Sequence, residues 1–363
     1  MTIKKAEYIW LDGSKPTVDL RSKTRIVEMD SNPNLTSFPE WGFDGSSTNQ
    51  ATGDNSDCIL KPVSFVKDPI RGNGNYLVMC EVFDRNANPH PSNTRAILRN
   101  VLDNGAAEQD PLFGFEQEYT MFNNATPLGW PKDGFPEPQG PFYCGVGYGK
   151  VFGRELVEAH QDACIEAELL FYGINAEVML GQWEFQIGYR GFNEKIDALK
   201  IADHHWFATW LLHRLGEEYE ISISFENKPV KGDWNGAGCH TNFSTKNMRD
   251  KDLGKENIKK ALENLKRNHD KHILVYGNNL DQRLTGDHET CSINEFRSGE
   301  SDRGASIRIP LETSKKNYGY LEDRRPGANS DPYLVSARIL VTVCELNESL
   351  LTTKEKSKEK AFA

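Results

Sequence analysis

An alternation of apolar and polar residues is clearest in LFGFEQEYTMF, residues 112–122. One parity carries apolar and aromatic residues such as Phe115 and Tyr119, whereas the other carries Glu116 and Glu118. This period of two with aromatic enrichment predicts a β-strand with one buried face. Because solvated acids are common on the wet face of an antiparallel sheet, the strand alone does not establish a functional site.

The same alternation recurs in later segments, namely QWEFQIG (182–188), GCHTNFST (238–245), GASIRIP (304–310) and GYLEDRR (319–325). Their polar positions add Glu184, His240 and Glu322. NAEVML (175–180) adds Glu177 ahead of Gly181, which is a candidate bulge or bend. We therefore predict an antiparallel sheet whose polar face lines a site.

Helical spacing of apolar residues predicts helices over 152–173, 192–220, 255–277 and 331–350. The last one begins with Asp331 as a cap and Pro332 at the first helical position. Short alternating segments such as NYLVMCEVF (75–83) predict strands in the N-terminal part. The Asn- and Pro-rich stretch 83–95 is a candidate linker, and the charged segment 352–363 is expected to fray.

Composition narrows the class of protein. The chain has 363 residues, enough for one large domain or two smaller ones, and a net charge of −10, which argues against nucleic-acid binding. We expect no membrane partner, because no apolar run reaches the roughly 18 residues that cross a bilayer. The N-terminus lacks the apolar core of a signal peptide. Seven widely spaced cysteines without a C-x-x-C pair indicate reduced thiols and a cytoplasmic location.

The acids of the predicted polar face would repel one another if they converged. A unit pair at about 4 Å costs about 4 kcal/mol at an effective dielectric constant near 20. Proton uptake or divalent cations could relieve this repulsion. Carboxylates with one imidazole suit Mg²⁺ or Mn²⁺ better than a thiolate-seeking metal. The candidate ligands, enough for two metal ions, are Glu116, Glu118, Glu177, Glu184, His240 and Glu322.

Arginines complete this chemistry. Arg283, Arg303, Arg308 and Arg324 lie among Gly- and Pro-punctuated segments of the C-terminal third. Any one of them could form a surface ion pair, but guanidinium groups also bind carboxylate and phosphate bidentately. Acid-bound metals together with an arginine cluster favour phosphoryl transfer.

Three other segments resemble known functional motifs or metal ligands but lack the features that these require. GVGYGK (145–150) resembles a phosphate-binding loop, but Cys144 and Val151 occupy positions where that loop needs Gly and Ser or Thr. HETCS (288–292) lacks the second histidine of a zinc protease helix. His204 and His205 lie within a predicted helix, where a packing or capping role is favoured over metal ligation.

Seven motifs, in order, closely resemble those of the type II (eukaryotic-like) glutamine synthetases. They are EWGFDGSST, FGFEQEY, EVMLGQWEFQIG, NGAGCHTNFST, RLTGDHET, RGASIRIP and EDRRPGANSDPY, and the resemblance spans about residues 7 to 350. It implies an α+β fold with a β-grasp-like N-terminal domain (7–87) and a catalytic domain (94–363) containing an antiparallel sheet and helices. It also implies ATP-dependent ligation of ammonia to L-glutamate through γ-glutamyl phosphate. Two or more Mg²⁺ or Mn²⁺ ions per site and a homo-oligomer, commonly two stacked pentamers with sites between subunits, are implied as well.

The resemblance also implies residue roles. The ligands of the metal nearer glutamate and ammonia would be Glu118, Glu177 and Glu184. Those of the metal that bridges the ATP phosphates would be Glu116, His240 and Glu322. The residues that would bind glutamate are Asn235, Gly236, Arg283, Arg303 and Arg324. The residues that would contact ATP are Glu116, Glu184, Asn242, Phe243, Ser244, Arg303, Arg308 and Tyr320.

Three residues would act on the reacting groups. Glu289 would close over the intermediate and help to take a proton from ammonium. Asp44 would attract ammonium from the next subunit, although an Asx turn in FDGSS explains this residue equally well. Arg303 would neutralise the transferred phosphoryl group, together with Arg308.

Two positions depart from the family pattern. Leu180 stands where the family often has Pro, which could alter the bend between Glu177 and Glu184. Asp287 adds a negative charge that we hypothesise to tune ammonium entry.

Alternatives to the ligase are a relative that joins glutamate to another amine and a non-catalytic, lens-type structural protein. The intact ammonium acids Asp44 and Glu289 argue against the first alternative, and the intact metal ligands and arginines argue against the second.

Overall fold

The structure, a computed structural model, describes residues 2–191, 194 and 196–352. Within these, residues 2–104 and 347–352 form one compact unit, and Gly105–Leu346 contains the other. Residues 353–363, for which fraying is expected, lie outside the described residues. So do residues 192, 193 and 195, at the start of the helix predicted over 192–220. None of the helices described is both long and apolar enough to cross a membrane.

The first unit contains a five-stranded sheet. Its strands are β1 (Thr2–Leu11), β2 (Leu20–Met29), β3 (Trp41–Asp44), β4 (Asp57–Lys67) and β5 (Tyr76–Phe83). They are hydrogen-bonded in the order β2-β1-β5-β4-β3, with β1 and β5 parallel and the other neighbours antiparallel. Alternate residues such as Tyr8, Trp10 and Val78 fill the core. Helix α1 (Thr94–Asp103) follows, and the side chain of Asn93 caps it by accepting a hydrogen bond from the Ala96 amide.

A larger sheet forms the centre of the second unit. Its strands are β6 (Leu112–Asn123), β7 (Thr126–Pro127), β8 (Phe171–Ala176), β9 (Gln182–Ile187), β10 (Ser222–Ser224), β11 (Cys239–Ser244), β12 (Ser298–Glu300), β13 (Ile307–Ile309) and β14 (Leu321–Asp323). The order is β12-β13-β14-β11-β6-β9-β8, and β7 and β10 also pair with β6. Only β12 and β13 are parallel among these described pairs. The predicted antiparallel sheet is confirmed.

The helices of the second unit differ from the sequence prediction mainly at their ends. They are α2 (Arg154–Glu166), α3 (Ala198–Tyr219), α4 (Lys246–Arg249), α5 (Gly254–Arg267), α6 (His269–Ile273), α7 (Leu311–Lys316) and α8 (Pro332–Val343). The helix predicted over 255–277 is wrong as a single element, because Asn268 ends α5 and begins α6 with φ −106° and ψ 18°. The predicted cap at Asp331 and the predicted first helical residue Pro332 are both confirmed. The helix ends at Val343, however, and not at residue 350.

The helix predicted over 152–173 is wrong beyond Glu166. The chain turns at Glu168, whose φ of 60° is left-handed, and then forms β8. Buried Leu169, Leu170 and Phe171 make a short apolar run. Such a run suits a buried strand as well as a helix, so that periodicity alone could not place this boundary.

Helix α3 covers the apolar face of the central strands. His205 of α3 contacts the Phe115 ring at 5.4 Å between centroids, and its Nε2 lies 2.8 Å from Gln117 Oε1. His204 Nδ1 accepts a hydrogen bond from the Leu170 amide at 2.9 Å. The packing role favoured for both histidines is therefore confirmed, and neither of them caps a helix described here. Because α3 covers one face of the sheet, the acids of β6 point to the opposite face.

Candidate active site

Strand register brings acids of the polar face into adjacent positions. Strand β6 pairs with β11 so that Glu116 lies opposite His240, and with β9 so that Glu118 lies opposite Glu184. Residues directly opposite in an antiparallel pair have Cβ atoms about 5 Å apart. The parity predicted from sequence is confirmed, because the odd positions of β6 from Phe113 to Met121 are all buried.

Glu177 reaches the same face through a tight turn between β8 and β9. Its amide donates to the Gln182 carbonyl at 3.0 Å, which closes the turn. Gly181 lies in this turn with a φ of 92°, and a Cβ there would come within 2.9 Å of the Leu128 carbonyl oxygen. The predicted bend at Gly181 is confirmed, and Leu180 is buried beside it.

Two groups of ligand atoms result. Glu116, Glu184 and His240 form one group, and Glu118, Glu177 and Glu184 form the other. The ligand atoms within each group lie within 4.8 Å of one another. Glu184 belongs to both groups, so that a row of acids runs along the sheet.

The electrostatics of this row favour cations. Burial, followed by the charge of Glu116, raises the pKa of Glu184 well above its usual range. Burial and the neighbouring Glu118 raise the pKa of Glu177 to about 8. Burial, together with Arg324, holds the pKa of His240 well below its usual value, so that its imidazole is neutral. Uncompensated carboxylates with a neutral imidazole fit Mg²⁺ or Mn²⁺, as the sequence predicted.

Arginines line the same cavity as the acids, which has a volume of about 440 Å³. Arg283, Arg303, Arg308 and Arg324 all line this cavity. Buried Arg283 donates from Nη2 to His240 Nε2 at 3.0 Å and to the Arg324 carbonyl at 3.2 Å. The structure thus brings together the arginines that the sequence singled out.

Glu322 makes contacts that the sequence did not predict. Its Oε1 accepts a hydrogen bond from Arg324 Nη1, and its Oε2 pairs with Arg308 Nε, both at 2.7 Å. His240 Nδ1 lies 3.8 Å from Glu322 and 3.7 Å from Glu116. Glu322 therefore adjoins the group formed by Glu116, Glu184 and His240, but its charge is compensated by two guanidinium groups.

A second cavity of about 310 Å³ lies beside the first. Both are lined by Glu116 and Gln186, so the two cavities adjoin at these residues. The predicted nucleotide residues Asn242, Phe243, Ser244 and Tyr320 line the second cavity. Its apolar wall with exposed tyrosine rings suits a planar base, because aromatic rings stack on one another.

The sequence missed several residues of this second cavity. Tyr172 and Tyr189 line it with 62% and 48% of their surfaces exposed. Tyr172 lies on β8, in the segment wrongly predicted as helix, which hid its position. Arg249 also lines the cavity and donates to the hydroxyl oxygen of Ser244 at 2.8 Å. Tyr189 directly follows the predicted strand QWEFQIG (182–188), and this position was the signal that could have indicated this wall.

The segments that carry Asn235, Gly236 and Glu289 meet at the rim of the first cavity. A Cβ at Gly236 would lie 2.5 Å from the Asn227 carbonyl oxygen and 2.8 Å from Arg283 Cγ, so this position requires glycine. Arg324 Nη2 donates to the Glu289 carbonyl at 3.3 Å. The turn that carries Glu289 is thereby tied to the arginine side of the cavity.

Asp44 belongs to the first unit. Its Oδ1 accepts hydrogen bonds from the Ser46 amide at 2.9 Å and hydroxyl at 2.6 Å, and its Oδ2 accepts one from the Ser47 hydroxyl at 2.7 Å. These bonds, that from the Ser46 hydroxyl foremost, lower the pKa of Asp44. The Asx-turn interpretation is confirmed, and the turn presents an ionised carboxylate on an exposed residue.

Comparisons with known proteins agree along the chain. Residues 2–85 match the family model for the glutamine synthetase β-grasp domain, and residues 91–268 match that for the glutamine synthetase catalytic domain. A Streptomyces viridochromogenes glutamine synthetase is 54% identical over 342 residues, which cover 94% of this chain and 96% of that protein. A chloroplastic glutamine synthetase of Chlamydomonas reinhardtii is 53% identical, covering 93% and 90%. A Plasmodium falciparum glutamine synthetase solved by cryo-EM shares the fold, with a TM-score of 0.74 and 17% identity over 95% of this chain and 72% of that one.

Proposed function

The chain belongs to the glutamine synthetase family and is a glutamate–ammonia ligase, and from this premise we propose how its site performs the reaction. The resemblance to type II enzymes is confirmed by algal and fungal relatives. The family uses ATP and divalent metal ions. One observation carries the proposal: two groups of candidate ligands share Glu184 on one sheet face and line one cavity together with four arginines.

ATP would occupy the 310 Å³ cavity and L-glutamate the 440 Å³ cavity. Tyr320 and the β11 residues Asn242, Phe243 and Ser244 would contact the nucleotide. Glu116 borders both cavities, so that the terminal phosphate would reach glutamate beside this residue. Glutamate would bind through Asn235, Gly236, Arg283, Arg303 and Arg324.

Two or more Mg²⁺ or Mn²⁺ ions would be held by the row of acids. The ligands would be Glu118, Glu177 and Glu184 for one ion, and Glu116, His240 and Glu322 for another. The raised pKa values of Glu177 and Glu184 support this assignment, because a bound cation stabilises the ionised carboxylates. When bound, the cations would neutralise charge on the phosphates and orient them.

The reaction would run in two displacements. A γ-carboxylate oxygen of glutamate attacks the terminal phosphorus of ATP, and the bond between that phosphorus and the bridging oxygen breaks to release ADP. Ammonia then attacks the carbonyl carbon of γ-glutamyl phosphate, and the carbon–oxygen bond breaks to release phosphate. Arg303 and Arg308 would stabilise charge on the transferred group, since guanidinium groups pair with phosphate oxygens.

Ammonium must lose a proton before its nitrogen can attack. Glu289 would accept this proton, and its turn would exclude water from the acyl phosphate. Asp44 would belong to a neighbouring subunit in a decamer of two pentameric rings, and from there it would attract the ammonium ion. We also propose a cytoplasmic location and domain bounds of 7–87 and 94–363.

Coupled phosphate and glutamine measurements test this reaction course. The protein is incubated with ATP and Mg²⁺, with glutamate and ammonium added singly and together. We expect one phosphate per glutamine and negligible release without glutamate. Phosphate release that needs glutamate but ignores ammonium would indicate another amine acceptor, and no turnover by folded, metal-loaded protein would support the structural alternative. Arg308→Ala, which keeps all the residues proposed to bind glutamate, should slow phosphoryl transfer while the protein still binds glutamate.

A further inference from the structure

A chain of side-chain contacts crosses the rim of the first cavity. His288 Nε2 lies 3.0 Å from Asp233 Oδ1, and the Gln139 amide nitrogen lies 3.4 Å from His288 Nδ1. The same amide nitrogen donates to Asn235 Oδ1 at 2.8 Å. Three separate segments therefore meet through one imidazole ring.

One neutral tautomer of His288 satisfies both of its contacts. Nε2–H donates to the Asp233 carboxylate, while Nδ1 accepts from the Gln139 amide. That amide has two hydrogens, so it serves His288 and Asn235 at the same time. Gln139 therefore links Asn235, which is proposed to bind glutamate, to His288, which directly precedes Glu289.

The backbone at this point is strained. His288 and Glu289 have φ values of 50° and 61°, and both are non-glycine residues in the left-handed region. Each such residue costs on the order of 1 kcal/mol or more, and persists only where the surroundings hold it. Thr290 closes the turn by donating its hydroxyl to the Asp287 carbonyl at 2.7 Å. Arg324 restrains the Glu289 carbonyl, and the contacts of the His288 side chain with Asp233 and Gln139 add a restraint from the other segments.

We propose that His288 is a positioning residue, which fixes the turn that carries Glu289 over the cavity and links it to Asn235. Occupation of the glutamate site would then stabilise the turn through Gln139, so that Glu289 is in place when the acyl phosphate forms. The inference rests on the proposed role of Glu289. It adds a residue that acts on the turn without touching the reacting atoms.

The test uses substitutions that separate the two contacts of the ring. His288→Ala removes both, His288→Gln retains a donor near the Nε2 position, and His288→Asn retains an acceptor near Nδ1. Asp233→Ala breaks the link from outside the turn, and Asp252→Ala, an exposed acid before α5, is the matched control. Hydrogen–deuterium exchange of residues 284–292 and the ratio of phosphate released to glutamine formed are measured on the whole protein.

We expect exchange in this segment to rise about two- to fivefold in His288→Ala and Asp233→Ala, the effect of losing one contact with a solvent-exposed carboxylate. We also expect at least two phosphates per glutamine and a higher ammonium KM, with an unchanged ATP KM. His288→Gln should recover most of the coupling, and the control should match the parent. If His288→Ala fails to fold, Asp233→Ala decides.

Two results would overturn the inference. Parental exchange in both variants would show that the link does not hold the turn. Faster exchange with a parental phosphate-to-glutamine ratio would show that it has no positioning role. Normal glutamine formation by Glu289→Ala is a different failure, because it would refute the proposed role of Glu289, and exchange would then decide the link alone.

Discussion

Replacing Glu177 by Gln tests whether the acids of the site destabilise the protein when no metal is bound. The pKa of Glu177 is raised from 4.5 to about 8, first by burial and then by Glu118. Each pKa unit corresponds to about 1.4 kcal/mol, so full ionisation would destabilise the folded state by at most ~5 kcal/mol. Gln removes the charge and keeps the shape, so Glu177→Gln should stabilise the metal-free protein at high pH.

The sign follows from linkage. A carboxyl group with a raised pKa in the folded state destabilises that state progressively as pH rises from 4.5 towards 8. Between pH 5.5 and 8.5 the parent should lose roughly 3 kcal/mol that the variant retains. For a unit of this size that difference corresponds to about 5–10 °C in Tm.

Thermal unfolding of the parent and Glu177→Gln is compared at both pH values in a chelating buffer and in Mg²⁺. In the chelating buffer, the variant should melt above the parent at both pH values, by a margin that is larger at pH 8.5 than at pH 5.5. Mg²⁺ should raise the Tm of the parent much more than that of the variant. Glu263→Gln, on an exposed position of α5, controls for the loss of a surface charge. Equal pH dependence in all three proteins would refute the repulsion argument.

Further predictions concern turnover. Glu289→Ala should bind ATP and glutamate normally but form glutamine about 10²–10⁴-fold more slowly, the usual contribution of a general base; equal losses of binding and turnover in a titration would contradict this. Asp287→Asn should change the ammonium KM, and an unchanged value would refute its tuning role. Tyr320→Ala should raise the ATP KM at least several-fold with little effect on the glutamate KM, because a stacked aromatic ring contributes about 1 kcal/mol to binding. Steady-state kinetics of the variant measures both KM values.

The polar face of the catalytic sheet was predictable because its two faces differ so strongly. A period of two identifies which β6 residues are buried without any knowledge of register. Glu116 and Glu118 could therefore be assigned to one face from sequence. That Glu184 belongs to both groups of ligand atoms could not, because this depends on the pairing of β6 with β9.

Contacts between distant segments were the part that sequence could not supply. The pairing of Glu322 with Arg308 depends on how β13 and β14 align. The strand β8 was hidden because a short apolar run follows directly after a helix. The contact of His288 with Asp233 joins two turns that no periodic pattern describes.

Strand β6 has a consequence for how this protein tolerates mutation. Its odd residues from Phe113 to Tyr119 are buried against the core, while Glu116 and Glu118 face the catalytic cavity. Partner strands occupy both of its edges. An ordinary surface strand has solvent-exposed positions that tolerate substitution, whereas residues 113–119 have almost none. Genetic drift in this enzyme would therefore accumulate elsewhere, and a saturation library across 113–119 should return mainly the parental residues.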